Sequence, residues 1–521
     1  MAKDTPMRHV APWFLLFAFG LLSTASRAAP PRDEDQDLTT VYEFADVGVA
    51  GEMMSATPGG AQDIAYFRDR VSAGEIPNPE VFTPEGLFSE HDLPLAKRGR
   101  CRALLCIEGE ATEGRLLAQP DVRFIGQLGF STNIDAAKFL RAPTNLVAVV
   151  DKSGSMTDVL PLVQESLREV VNQLGPRDQL SIVLYGEIAR PVLRPTRADA
   201  SGKERMRRVI DQIQSGGSTA MEDGMQTGFR IARRSGRGFA GQSRLMLFTD
   251  ERPNVGATDR HSFMAMARNA SRAGIGMTTV GVGVQFGAEL ATAVSSVRGG
   301  NLFFFPDADE MTRVFEEDFD TMVSELAHDL RLRVTAAPGM KLAGLYGIPG
   351  DMLRWTRDGA LEVEISTVFL SRRAGAIYVA VAPSGNAALP RRRPRRGAAI
   401  ATVDLSYTPV EERKVRMQAQ LTRVPPRRAS VGLARGLLLV DQITALKKAV
   451  TLHHHENDQE GAYQLVHALA GRFRHDNEPS LGKERKLVLE LERTLAKLSG
   501  HRGEPVRRRS RFDDVSGLPL R

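Results

Sequence analysis

Three short segments carry the residue types that could hold a metal ion. Asp151-Lys152-Ser153-Gly154-Ser155 sets a carboxylate and two hydroxyls at alternate positions, directly after the apolar run Asn145–Val150. Gly216-Gly217-Ser218-Thr219-Ala220 places a hydroxyl behind two glycines, just ahead of a helical pattern that starts at Met221. Lacking a Cβ, those glycines let the backbone approach a bound group closely. Phe248-Thr249-Asp250 ends a second apolar run on a second carboxylate. Asp151, Ser153, Ser155, Thr219 and Asp250 offer oxygen alone, the donor set of a hard divalent cation. Asp-x-Ser-x-Ser by itself is a weak signal; its place at the end of a buried strand, where open α/β sheets bind ligands, strengthens it.

Such convergence needs strands that deliver their carboxyl ends to one edge, and the surrounding pattern supplies them. Apolar, β-rich runs at Asn145–Val150, Gln179–Tyr185, Arg244–Phe248, Met277–Val284 and Leu302–Phe305 alternate with helical stretches. The helices are expected at Val159–Leu174, Glu204–Ile213, Met221–Arg234, Arg260–Ala273, Ala288–Val297 and Met311–Asp329. Strand-then-helix alternation over 143–330 predicts a doubly wound, mostly parallel α/β sheet, Rossmann-like, covered on both faces.

The five oxygen donors in that setting resemble the metal-ion-dependent adhesion site of von Willebrand factor type A domains. The likeness implies that Ser153, Ser155 and Thr219 give hydroxyl oxygens to Mg²⁺, with Mn²⁺ or Ca²⁺ as alternatives, while Asp151 and Asp250 act largely through bound water. One coordination position stays open, commonly for a carboxylate of a partner protein. Neutral hydroxyls leave the cation only partly neutralised and able to attract such an anion. The family commonly has glycine after the second carboxylate; here Glu251 follows, either adding negative charge beside the metal or facing solvent. In many A domains the last helix, here Met311–Asp329, shifts when ligand binds. Upstream, Tyr66-Phe67-Arg68-Asp69-Arg70-Val71-Ser72-Ala73-Gly74-Glu75-Ile76-Pro77 resembles a segment of exported bacterial proteins of this superfamily, in which a β-rich region follows the A domain.

The remainder divides readily. The chain has 521 residues, enough for three to four domains at roughly 150 residues each. Residues 1–28 read as an export signal: Lys3, Arg8 and His9, the apolar run Trp13–Leu22, then Ser26-Arg27-Ala28 for cleavage. A retained signal anchor is the alternative, and no later stretch is apolar enough to span a bilayer. Residues 29–62 read as a disordered linker, 63–142 as an N-terminal α+β extension, and 331–425 as a β-sandwich-like domain. Residues 426–500 read as a helical region, with Leu437–Val450 and Lys483–Leu498 amphipathic, and 501–521 as a basic flexible tail. Outside the cytosol Cys101 and Cys106 could close a small disulfide loop; a zinc site lacks companion ligands.

Charge does not point to nucleic acid. Net charge is +6, from 69 Lys and Arg against 63 Asp and Glu, and its local excess sits in two arginine clusters, Arg391–Arg396 and Arg502–Arg511. His453-His454-His455 diverge on a helix and cannot share one ion. No G-x-x-x-x-G-K-[ST], H-E-x-x-H or G-x-S-x-G occurs, and Ser480-Leu481-Gly482-Lys483 lacks the companions of an S-x-x-K enzyme. The expectation is therefore an exported, non-enzymatic binding protein of periplasm, cell surface or medium. Its partner would be a protein presenting an Asp or Glu carboxylate. The alternatives are an envelope assembly factor whose metal only stabilises the fold, and, more remotely, a hydrolase.

Overall fold

A computed structural model of the chain describes residues 55–58, 64–79, 87–88, 90–95, 101–135, 139–250, 260–282, 297–305, 308–348, 352–371, 375–385, 396–410, 413–474 and 478–501. The export signal, most of the linker, all but the last residue of the helix expected at Ala288–Val297, Glu251, most of the arginine insert and the tail beyond His501 lie outside them. Before the α/β region come β1 (Ser55–Pro58), α1 (Ala65–Ser72), β2 (Cys106–Glu113) and β3 (Phe124–Ser131). β1 falls inside the stretch read as linker. Cys101 and Cys106 are joined in a disulfide.

The α/β region follows as β4 (Thr144–Asp151), α2 (Leu160–Gln173), β5 (Gln179–Tyr185), β6 (Ala189–Arg197), α3 (Ala200–Asp211) and α4 (Met221–Ser235). It continues with β7 (Gln242–Thr249), α5 (Arg260–Arg272), β8 (Ile275–Val282), β9 (Gly300–Phe305) and α6 (Ala308–Val323). The strands form a six-stranded sheet in the order β6-β5-β4-β7-β8-β9, parallel except for the antiparallel edge β6. Every residue of β4 is buried, because alternate side chains feed two cores. Leu146, Ala148 and Val150 meet α2 and α6, whereas Val147 and Val149 meet α4 and α5. On α6, Met311, Phe315, Phe319 and Met322 recur at helical spacing and are buried; each such burial is worth roughly 1.5–3 kcal/mol.

Two departures from the sequence reading have physical causes. The last helix ends at Val323, not Asp329, and Glu325–Asp329 already belong to a strand. Leu326 and Leu330 stand four apart, a spacing that suits a helix, but pairing with strands on both sides wins. β6 was not foreseen, since most of its residues are exposed and it contains Pro191 and Pro195.

Beyond α6 run β10 (Glu325–Ala336), β11 (Met340–Tyr346), β12 (Leu353–Trp355), β13 (Leu361–Ser371), β14 (Ala376–Pro383), β15 (Ala399–Pro409) and β16 (Val415–Arg423). With β1, β2 and β3 they make one ten-stranded sheet, ordered β1-β13-β10-β15-β16-β2-β3-β14-β11, with β12 on β13. The segments read as separate, 63–142 and 331–425, thus share a sheet, and the α/β region is inserted between β3 and β10. β1 touches β3, and β10 touches β11, so the sheet curls over a single core that includes Leu128, Leu332, Val379 and Val403. At the junction Arg244 of β7, 1% exposed, pairs with Glu325 of β10. Arg244 also donates to the Gly299 carbonyl and Thr278 Oγ1, both at 3.0 Å, and lies 5.1 Å from the Phe369 ring centroid.

The C-terminal helices α7 (Val431–His454), α8 (Gln459–Arg474) and α9 (Gly482–Leu498) pack on the outer face of β3 and β14, together with α1. Contrary to the amphipathic reading, α7 is buried continuously from Leu438 to Leu446. Its Gly436 lies so near Tyr378 that a Cβ there would stand 1.9 Å from the ring. The Tyr66–Pro77 segment finds its role here: Arg68 bonds Glu90 at 2.8 Å and pairs with the fully buried Glu484 of α9. Glu484 also accepts from Gln442 at 2.8 Å and lies 3.2 Å from His91 Nε2.

Asp441 of α7 is fully buried, takes the Leu117 N–H at 2.7 Å and pairs with Arg472 of α8. Burial pushes its carboxyl up to about 6, against the pull of Arg472 and the Leu117 N–H. Between the unfolded value and that figure the native state holds the extra proton, so this group subtracts stability as pH rises through the interval. Asp441→Asn removes the titration. Its melting temperature, measured against that of the native chain at about pH 4 and about pH 6.5, should compare more favourably at the higher pH; an unchanged difference would contradict the assignment.

Candidate metal centre

β4 and β7 are adjacent and parallel, with Val150 opposite Phe248. Their carboxyl ends therefore release Asp151 and Asp250 side by side. Asp151 is 0% exposed. Its Oδ1 accepts the Ser153 N–H at 2.8 Å and its Oδ2 accepts the Thr249 hydroxyl at 3.1 Å. The chain then turns through a short 3-10 segment, Gly154–Asp158. Ser153 Oγ lies 3.0 Å from Ser155 Oγ, and Ser155 Oγ donates to Asp250 Oδ1 at 3.1 Å. Three of the five expected donors, Ser153, Ser155 and Asp250, thus form one connected chain of oxygens, and Asp151 joins it through the Ser153 N–H.

Thr219 reaches the same strand end by a different route. The Gly216 N–H donates to the Lys152 carbonyl at 2.6 Å, Lys152 Nζ donates to the Gly216 carbonyl at 2.6 Å, and the Gly154 N–H donates to the Gly217 carbonyl at 3.1 Å. Gly216 and Gly217 have φ of 141° and 95°, a backbone that side-chain-bearing residues resist. The half-buried Thr219 follows, just before Ala220, whose N–H donates to the Gly186 carbonyl at 2.7 Å. The Thr219 hydroxyl is not itself part of the oxygen chain. Lys152 is the residue that the sequence reading passed over. Nothing in its type or position announces that its carbonyl and ammonium grip both sides of Gly216.

The donor set fits a small hard cation. An octahedral ion with oxygens at about 2.1 Å separates neighbouring ligands by roughly 3.0 Å, close to the spacing from Ser153 to Ser155 to Asp250. Burial pushes the Asp151 carboxyl above its ordinary value, and the nearby Asp250 charge adds to this; bonds from Ser153 and Tyr185 oppose it. Among the described residues no cluster of three or more His, Cys, Asp or Glu side chains is placed to hold a metal, so hydroxyls would have to complete the shell. No histidine among the described residues hydrogen-bonds the Ser153 or Ser155 hydroxyl.

Comparison with known proteins agrees with this arrangement of strands and loops. Residues 145–317 match the model of the von Willebrand factor type A domain. This stretch is a von Willebrand factor type A domain. Over 200 residues the chain is 30% identical to the uncharacterized protein YfbK of Escherichia coli strain K12, covering 37% of this chain and 34% of that one. It is 27% identical over 207 residues to human inter-alpha-trypsin inhibitor heavy chain H4, covering 37% of this chain and 21% of that protein. The match therefore spans about a third of the first relative and a fifth of the second. A solved von Willebrand factor type A protein from Catenulispora acidiphila aligns with 78% of this chain and 89% of its own, at 14% identity and a TM-score of 0.42.

Outer-shell residues that orient metal ligands typically alter affinity 10- to 100-fold when replaced. Lys152→Met should therefore weaken Mg²⁺ binding by about tenfold, read by calorimetric titration of chelator-treated protein, with the metal-free melting temperature unchanged. Lys152→Arg, which keeps a donor for Gly216, should recover part of the loss. Equal Mg²⁺ affinity in the native chain and Lys152→Met would remove Lys152 from the site.

Proposed function

We propose that the A domain binds a divalent cation, Mg²⁺ foremost with Mn²⁺ or Ca²⁺ as substitutes, and uses it to capture an Asp or Glu carboxylate of a partner protein. The observation that carries this is the convergence of the Ser153, Ser155 and Asp250 oxygens at 3.0 and 3.1 Å above the buried Asp151. Ser153, Ser155 and Thr219 would hold the cation directly, and Asp151 and Asp250 would orient its waters. The cation supplies an exposed positive charge with an exchangeable water, to which an external carboxylate can bind. The chain's own residues hold the hydroxyls in place and keep their negative charge low. Mediation of protein–protein contacts is the general role of A domains, and among the described residues no helix is long and apolar enough to cross a membrane.

The reading includes export to the periplasm, cell surface or medium and no catalytic step. Support for export comes from the charged start, apolar run and small-residue site within residues 1–28, and from the Cys101–Cys106 disulfide, a bond that persists in oxidising compartments. The insertion of the A domain between two strands of one sheet favours a second reading, in which the metal only stabilises the assembly.

Asp151→Ala separates these readings. Capture of partner proteins from the source organism's envelope fraction should require Mg²⁺, vanish with chelator, and vanish in the variant while its circular dichroism stays native. Mg²⁺ that raises the melting temperature without any metal-dependent capture would instead establish the stabilising role.

A further inference from the structure

The sheet edge beside the candidate metal centre is β6, which pairs on one side only, with β5. Its start is tied into the loop cluster: the Ala189 N–H donates to Asp223 Oδ2 at 2.7 Å, and the Gly186 carbonyl accepts the Ala220 N–H at 2.7 Å. Residues 186–189 therefore wall the loop that carries Thr219. Ile188 in that wall is 52% exposed, and Val192 beyond it 41%. Arg190, Arg194 and Arg197 are exposed along the same strand, and Arg190 and Arg194 make no ion pair with any described residue. β6 runs from Ala189, opposite Tyr185 at the site end, to Arg197, opposite Gln179 at the far end, about 26 Å of extended chain.

An open edge ordinarily invites backbone pairing. Here Pro191 and Pro195 remove two N–H donors, and the register with β5 shifts twice, so a continuous ladder has no foothold. Recognition is left to side chains, namely an apolar residue at the corner and guanidinium forks beyond it, whose geometry matches carboxylates. The acids of this corner are mostly committed. Asp223 holds the Ala189 N–H and Glu222 holds the Gln226 amide at 2.9 Å, while Glu187 is exposed.

We propose that the Ile188 corner and the arginine edge of β6 form a docking strip for an acidic, extended segment of a partner protein, running on from the carboxylate taken at the metal. This rests on the metal-dependent capture proposed above and names the chemistry of its partner. Ile188 covers an apolar side chain next to that carboxylate, and Arg190 and Arg194 pair with acidic side chains further along. Glu187 opposes the same segment by like charge.

The probe is a fluorescein-labelled deca-glutamate peptide, followed by anisotropy with the full chain in Mg²⁺, beside a ten-residue oligothymidylate of similar charge. Peptide binding should weaken steeply with salt, fall about tenfold in Arg190→Glu/Arg194→Glu, and tighten about twofold in Glu187→Gln. Mg²⁺ affinity by calorimetry should stay unchanged in the double variant, and circular dichroism should show it folded. Peptide binding that is absent, or equal in the native chain and the double variant, would make the arginines only a guard of the edge and overturn the proposal. Tighter binding of the oligothymidylate through the same arginines would overturn it in favour of nucleic acid. Failure of the metal reading shows separately: Mg²⁺ would not titrate, and Asp151→Ala would leave peptide binding intact, while arginine dependence would still support the strip.

Discussion

Everything at the candidate centre depends on the parallel pairing of β4 with a neighbour on each side. Val150 stands opposite both Leu184 and Phe248, and that register decides where the chain leaves the sheet. Two carboxylates then emerge from adjacent strands, where their charges repel. Burial of Asp151 adds to that cost, and bonds from the Ser153 N–H and the Thr249 hydroxyl offset it. The other, Asp250, accepts a bond from Ser155. A one-residue slip of β4 would exchange its two faces and send Leu146, Ala148 and Val150 to the wrong core, so the register is protected by both layers of helices.

The second constraint is topological. Because β2 and β3 precede the A domain and β10 to β16 follow it in one sheet, the domain is held at both ends by the same body. The joint is built at the opposite end of the sheet from the metal centre, near the start of β7, where Arg244 is stripped of water and compensated by Glu325, two carbonyl or hydroxyl acceptors and the Phe369 ring. Removing one partner of such a pair usually costs about 3–5 kcal/mol, because the other charge is left buried without a counter-charge. α6 enters β10 with only Ser324 between them.

Much of this was legible in the sequence. Asn145–Val150 and Gln179–Tyr185 stand as read because strands buried on both faces are written as runs that are mostly apolar and β-rich. Asp151, Ser153, Ser155 and Asp250 do gather, since residues at strand ends of a doubly wound sheet have one place to go. What escaped depends on partners far away in the chain. Leu326 and Leu330 fit helix spacing as well as strand, and only β13 and β15 decide between them. Nothing in Val415–Leu421 shows that β16 will pair with β2. The partner of Arg68, Glu484, lies more than 400 residues on and supplies the counter-charge only once the helices pack. Lys152 grips Gly216 through a geometry that exists only once both loops are folded.

The most direct test of cation binding is anomalous diffraction from crystals of the full chain soaked in Mn²⁺. The expected result is an anomalous peak bounded by Ser153 Oγ, Ser155 Oγ and Thr219 Oγ1, absent from crystals of Asp151→Ala. A native crystal with no peak there, or with its only peak elsewhere, would contradict the assignment.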